Sequence, residues 1–131
     1  MMNSFAAFIL AHEDFAESLK LTTEKITGQQ PNIFPYSNKI DSLPVIFEKI
    51  NEKLMTLQSN KIYVFVDLIG GSCWSLANMI AKKYPDIIII GGVNLPMIIS
   101  FIINQNKLEM DQLTEKIIED SKKGIKELSR K

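Results

Sequence analysis

Residues 62–74 read IYVFVDLIGGSCW, and this stretch decides the fold of the chain. Its first seven residues have the composition of a buried strand, and they run into a Gly-Gly-Ser turn. A helical pattern begins directly afterwards at Cys73. A strand, a glycine-rich turn and a helix in succession are typical of a parallel sheet. The stretch places Asp67 near the carboxyl end of the strand, beside backbone amides that favour an anion.

The same alternation of strand and helix extends along the rest of the chain. Apolar runs without alternating polar residues predict strands covered on both faces, and apolar residues at helical spacing predict the helices that cover them. Strands are expected at residues 4–10, 32–36, 62–68 and 87–90, and helices at residues 14–27, 43–57, 73–83, 96–103 and 109–131. The order βαβαβαβαα predicts an α/β fold, a mainly parallel four-stranded sheet with helices on both faces, in a single domain spanning residues 1–131.

A few residues indicate how these elements begin, end and pack. Asp14 can cap the first helix. Pro35 places the second strand at an edge of the sheet, because proline cannot donate a ladder hydrogen bond. Gly124 is a weak point in the last helix, whose inner face is expected to include Ile125 and Leu128.

Composition and charge exclude several classes of protein. The chain carries 15 basic and 15 acidic residues, and this formal net charge of zero gives no support to binding of nucleic acid or of an anionic membrane surface. Residues 87–103 are the most apolar segment, but glycines, an asparagine and a proline interrupt them, which favours a strand and a short helix over a membrane span. Cys73 is the only cysteine, so no internal disulfide can form, and a reducing cytoplasm is indicated.

His12 and Asp67 are the candidates for chemistry. His12 is the only histidine and follows the first predicted strand. Taken alone, a histidine in this position is more often structural than catalytic. If the first and third strands are neighbours, Asp67 lies at the same rim, and a carboxylate bonded to one ring nitrogen turns the other outward as a nucleophile. The alternative for Asp67 is a helix or turn cap.

The turn Gly70-Gly71-Ser72 can hold a phosphoryl group with its backbone amides and hydroxyl, although the alternative is an ordinary tight turn between strand and helix. No Gly-Lys-Ser/Thr sequence follows, so nucleotide binding has no support. A metal site is not expected either, because there is one histidine and Cys73 is assigned to a separate loop, which leaves too few ligands. Cys73 is interpreted as a packing residue, although a helix N-terminus would lower its pKa.

Three stretches together resemble a known family. AHEDFAESL (residues 11–19), FVDLIGGSCWSLA (65–77) and GGVNLPMI (91–98) are similar to the signature stretches of the mannose/fructose/sorbose-type enzyme IIA of the bacterial sugar phosphotransferase system. The resemblance covers essentially the whole chain, and the combination of the three stretches is more specific than any one of them.

The resemblance implies a cytoplasmic homodimer that relays a phosphoryl group without a metal or other cofactor. His12 would accept the group from the phosphocarrier protein HPr and pass it to a separate IIB component. The protein would contact the membrane transporter only through this IIB component. Asp67 would orient His12, and Ser72 would lie beside the phosphoryl group. The resemblance also implies an antiparallel strand exchanged between subunits.

Both partners must reach the histidine, which requires an exposed rim with an apolar surround. The candidates for this surround are Leu68, Ile69, Trp74 and Met97, and the alternative for each is packing in the core.

The sequence departs from the family pattern at two positions. Glu13 follows the histidine where the family usually has glycine, and Cys73 follows Ser72 where it usually has proline. Glu13 leaves open a regulatory or binding module that keeps the fold without relaying phosphate. A further alternative is the phosphoryl-donor subunit of a phosphoenolpyruvate-dependent dihydroxyacetone kinase. The transported sugar cannot be read from this chain.

Overall fold

The computed structural model describes residues 5–59 and 61–130. Over these residues the elements are β1 (Phe5–Ala11), α1 (Phe15–Thr27), β2 (Ile33–Ser37), α2 (Leu43–Thr56), β3 (Lys61–Val66), α3 (Ser72–Lys83), β4 (Ile88–Gly91), α4 (Leu95–Asn104) and α5 (Met110–Lys123). The predicted order βαβαβαβαα is confirmed. Residues 4 and 131, which were expected to begin the first strand and to end the last helix, lie outside the described residues.

The four strands form one parallel sheet in the order β2-β1-β3-β4. The strand that contains Pro35 lies at an edge, as that proline predicts. β1 and β3 are direct neighbours, and Leu10 is in register with Val66. The chain runs outward from β1 to β2 and outward from β3 to β4, so the order reverses between β1 and β3. In open parallel sheets this point, at the carboxyl ends of the strands, is where ligands bind.

Helices cover both faces of the sheet, as predicted. Every residue of β1 is buried, because its side chains alternate between two apolar layers. The odd-numbered residues of β1 pack in a core with residues of α1, α4 and α5, and the even-numbered ones pack in a second core with residues of α2 and α3. Packing on both faces fixes the strands firmly and holds their carboxyl ends in register.

The apolar segment 87–103 forms β4 and α4 with a short loop between them, as the sequence indicates. Asn94 begins α4 by accepting a hydrogen bond from the backbone N–H of Met97 at 2.9 Å, which satisfies one of the unpaired donors of the first turn. Within the described residues, no helix has both the length and the apolar character that a membrane crossing requires.

Two predicted features of the helices are wrong. Asp14 lies at the start of α1 but makes no capping hydrogen bond with its side chain, because its carboxylate pairs with Lys39 at 3.0 Å. The last helix ends at Lys123, so Ile125 and Leu128 are not on an inner face but are 80% and 84% exposed.

The packing of α5 against α4 explains its early end. A side-chain Cβ at Gly124 would lie 2.6 Å from Cγ of Pro96, so the end of α5 lies directly against the beginning of α4. Beyond Gly124 the helix would extend past the first turn of α4 and would have no apolar layer to pack against. The helical pattern of the sequence continues there, but the burial that stabilises a helix does not.

Candidate functional site

His12 and Asp67 meet at the point where the strand order reverses. His12 follows β1 and Asp67 follows β3, so the pairing of these strands brings the two side chains together. One carboxylate oxygen, Oδ2 of Asp67, accepts hydrogen bonds from both the backbone N–H and the ring Nδ1 of His12, each at 2.9 Å. The acceptor role of the carboxylate assigns the proton of the neutral ring to Nδ1 and leaves a lone pair on Nε2. The side chains of His12 and Asp67 are 39% and 17% exposed, so the imidazole is partly accessible while its partner is largely covered.

The Gly70-Gly71-Ser72 turn lies against the imidazole. The hydroxyl of Ser72 is 3.5 Å from Nε2 of His12, and a Cβ at Gly71 would lie 3.5 Å from Cε1 of the ring. Gly70 has φ of +88°, a left-handed conformation that glycine adopts without strain. Ser72 is the first residue of α3, so the unpaired amides of this helix start beside the histidine. The hydroxyl and these amides can stabilise an anionic group on Nε2.

Asn38 is a site residue that the sequence did not single out. Its side-chain amide donates a hydrogen bond to Oγ of Ser72 at 3.3 Å, and its backbone N–H donates to the carbonyl of Ala11 at 3.4 Å. Asn38 directly follows β2, so the rule that strand ends meet at one edge of a parallel sheet also applies to it. The sequence pattern of a strand is weak around Pro35, so the position of Asn38 at the end of a strand is not evident from the sequence.

Glu13 has φ of +51°, in the left-handed region that favours glycine. The residue belongs to a tight turn in which the backbone N–H of Phe15 donates to the carbonyl of His12 at 3.2 Å. The hydroxyl of Ser37 donates to the carbonyl of Glu13 and holds the turn against the end of β2. The backbone geometry therefore explains why glycine suits this position, and it places an exposed carboxylate next to the histidine.

Cys73 is fully buried beside the site. Burial, together with the negative charge of Asp67, raises the pKa of its thiol to about 11 against a smaller lowering by the hydrogen bond with Ser72. Cys73 packs in the core with residues of α2 and α3, as predicted, and burial and the charge of Asp67 outweigh the lowering of its pKa that its place at a helix N-terminus predicted. The assignment of Cys73 to a separate loop is wrong, because a sulfur, an imidazole nitrogen and a carboxylate oxygen from Cys73, His12 and Asp67 lie within 4.8 Å of one another.

The side chains expected to surround the site divide into surface and core. Leu68 and Ile69 are exposed, and Trp74 is half-buried. A Cβ at Gly91 would lie 2.5 Å from Cγ1 of Ile69 and 3.0 Å from Cζ3 of Trp74, so the backbone of β4 supports both side chains. Met97 is only 3% exposed and packs in the core with α4 and α5. Its side chain belongs to the same buried core as β1 and α1, so it is not available to a partner.

Known proteins resemble this chain in sequence. The profile of the EIIA-man family, described as "PTS system fructose IIA component", matches residues 7–118. The mannose-specific EIIAB component of the PTS system of Escherichia coli (strain K12) is 30% identical over 135 aligned positions, which cover 98% of this chain. The chain spans 41% of the length of that relative.

Solved structures share the fold. The phosphotransferase system component EIIA from Streptococcus agalactiae superposes with a TM-score of 0.87 at 23% identity, covering 95% of this chain and 97% of that one. The mannose/sorbose specific IIA subunit from Enterococcus faecalis superposes with a TM-score of 0.79 at 20% identity, covering 100% of this chain and 98% of that one.

Proposed function

The chain belongs to the EIIA-man family of phosphotransferase system components, and we propose that it accepts a phosphoryl group from phospho-HPr on His12 and passes it to a IIB component during sugar uptake. One observation carries this proposal. The carboxylate of Asp67 accepts two hydrogen bonds from His12, and this leaves the lone pair of Nε2 beside the hydroxyl of Ser72 on a partly exposed ring.

The site is suited to transfer between two histidines. The lone pair of Nε2 forms the bond to phosphorus while the phosphorus–nitrogen bond of the donor breaks and its electron pair returns to the donor ring. The His12 ring becomes positively charged in this step, and the Asp67 carboxylate, hydrogen-bonded to Nδ1, stabilises that charge. The hydroxyl of Ser72 and the first amides of α3 face the phosphoryl oxygens. Phosphoryl transfer depends mainly on positioning and charge stabilisation, so these few groups are enough.

We place the contact with both protein partners on the apolar rim formed by Leu68, Ile69 and Trp74. Leu68 and Ile69 directly follow Asp67 and are exposed to solvent, an uncommon position for two adjacent large aliphatic side chains. Donor and acceptor must each bring a phosphorus atom to the same nitrogen, so they use this rim in turn and not together.

We also propose that the protein is a cytoplasmic homodimer. Among the described residues β4 pairs with β3 alone, so its other edge is open. A groove beside this edge is lined by Ile89, Ile118 and Ile125. Residues 125–130 are exposed and form neither helix nor strand. An open strand edge next to an apolar groove favours pairing with a second copy, and exchange of a strand between the two copies would cover both.

The relay is tested by incubating the protein with labelled phosphoenolpyruvate, enzyme I and HPr. We expect one acid-labile label at His12, which is the only histidine of the chain. The label should be absent from His12→Ala and should leave the protein when a IIB component is added. A label that persists in His12→Ala would refute the assignment of the site.

A second candidate function is a regulatory module that keeps the fold without passing phosphate on. Glu13 favours it, because its carboxylate lies next to the histidine and its backbone is held in the left-handed region. The two functions differ in the second half of the assay. A relay loses its label to IIB within one round of transfer, whereas a regulatory module retains it.

A further inference from the structure

The donor atoms around His12 have the composition of a metal site. A nitrogen of His12, a carboxylate oxygen of Asp67 and the sulfur of Cys73 lie within 4.8 Å of one another. Imidazole, carboxylate and thiolate are the three ligand types of zinc in proteins, and three protein ligands with an open fourth position are a common arrangement. Around a tetrahedral zinc ion such atoms are roughly 3.5 Å apart. The set therefore has to contract by about 1 Å at its widest separation to hold the ion.

An unpaired oxygen provides independent support. Both hydrogen bonds from His12 go to Oδ2 of Asp67, whereas Oδ1 is buried and has no hydrogen-bond partner among residues 5–59 and 61–130. A buried carboxylate oxygen without a partner is costly, and a cation would satisfy it. Cys73 is also buried, and it contributes a thiol that the relay does not use.

We propose that His12, Asp67 and Cys73 form a binding site for a thiophilic divalent cation of the Zn²⁺ class, and that the bound cation prevents phosphorylation of His12. On binding, the thiol proton of Cys73 passes to solvent and the sulfur ligates the cation. The carboxylate and the thiolate then balance the two positive charges. Nδ1 of His12 exchanges its proton for the cation, so the proton of the neutral ring moves to Nε2 and occupies the lone pair that would attack phosphorus.

Cation binding and phosphorylation are therefore mutually exclusive at the same ring. The binding of the cation is independent of the proposed relay, whereas its inhibitory effect rests on that function.

Cobalt titration tests the binding directly. Co²⁺ replaces Zn²⁺ in such sites, and its bond to a thiolate gives a charge-transfer absorption band. Because the chain has one cysteine, any such band reports Cys73. We expect the band in the wild type and in Asp14→Asn, a control that removes an exposed neighbouring carboxylate. We expect no band in Cys73→Ala, and we expect Zn²⁺ to displace the cobalt.

Nuclear magnetic resonance of the His12 ring nitrogens is a second readout that needs no variant. Zn²⁺ should move the Nδ1 signal, and a signal that Zn²⁺ leaves unchanged would overturn the proposal even if Cys73→Ala does not fold. The absence of a cobalt band in the wild type would overturn it equally.

Inhibition is measured with preformed phospho-HPr that has been separated from enzyme I, so that an effect of Zn²⁺ on enzyme I cannot change the measured rate. Stoichiometric Zn²⁺ should slow labelling of the wild type at least tenfold and leave the rate of Cys73→Ala unchanged. A cobalt band in a protein that is never phosphorylated would refute the relay and retain the metal site. Normal phosphorylation with no cobalt band would refute the metal site and retain the relay.

Discussion

Replacement of Asp67 by asparagine should slow phosphorylation of His12 about 5–70-fold while the protein stays folded. In the wild type one carboxylate oxygen accepts the backbone N–H and the ring Nδ1–H of His12, both at 2.9 Å. An asparagine oxygen can accept the same two hydrogen bonds, but it carries no charge. A hydrogen bond to a charged group contributes about 1.5–3 kcal/mol, against about 0.5–1.5 kcal/mol for a neutral one.

The difference of roughly 1–2.5 kcal/mol acts where the ring becomes positively charged, and each 1.4 kcal/mol changes the rate tenfold. The effect on folding should be smaller, about 1 kcal/mol, because the asparagine NH₂ takes the place of Oδ1, which is already buried without a partner in the described part of the chain.

The assay is quenched-flow labelling with preformed phospho-HPr, combined with thermal denaturation followed by circular dichroism. Asp14→Asn is the matched control, because that carboxylate is exposed and pairs with Lys39. It should leave the rate within about twofold, as expected for a surface charge. A rate for Asp67→Asn equal to that of Asp14→Asn would mean that Asp67 only caps a turn and that the account of the site is wrong.

Three further predictions concern stability. Glu13→Gly should raise the free energy of unfolding by about 0.5–1 kcal/mol in urea titrations, because the loss of strain in the left-handed backbone outweighs the added freedom of the unfolded chain. Glu13→Gln should leave the free energy of unfolding unchanged, so equal urea midpoints for the two variants would contradict this prediction. Gly91→Ala should lower the free energy of unfolding by about 1–2 kcal/mol, because the new methyl group would lie 2.5 Å from Ile69. An unchanged urea midpoint would show that the side chains of the rim move aside without a cost in stability. Finally, the raised pKa of Cys73 means that its thiol stays protonated in the folded protein up to about pH 11 and ionises earlier when unfolded, so stability is full below the ordinary thiol pKa and is lost as pH rises toward 11. This loss, at most about 3 kcal/mol, should be missing from Cys73→Ala, and identical pH profiles would refute it.

The sheet and the central pair of the site could be predicted from the sequence because both depend on local patterns. Continuous apolar runs separated by helical stretches require a parallel sheet covered on both faces, and strand ends in such a sheet meet at one edge. The pairing of β1 with β3 then brings His12 to Asp67, as the chemistry of the two residues suggested.

The remaining features depend on contacts that no local pattern encodes. The helical pattern continues past Gly124, but α5 ends where α4 no longer supports it. Met97 and Leu68 are similar in polarity, yet one packs in the core and the other is exposed, because only the orientation of each backbone segment decides between them. The approach of Cys73 to His12 likewise follows from the turn between β3 and α3 and not from the distance of the two residues along the chain.

The central claim is that His12 carries the phosphoryl group, and one measurement tests it most directly. The wild type and His12→Ala are incubated with preformed phospho-HPr, and the site of the label is identified by mass spectrometry under alkaline conditions, which preserve phosphohistidine. The account predicts one phosphoryl group per chain on His12 and none on the variant. An unlabelled wild type that is correctly folded, or a label on any other residue, would contradict it.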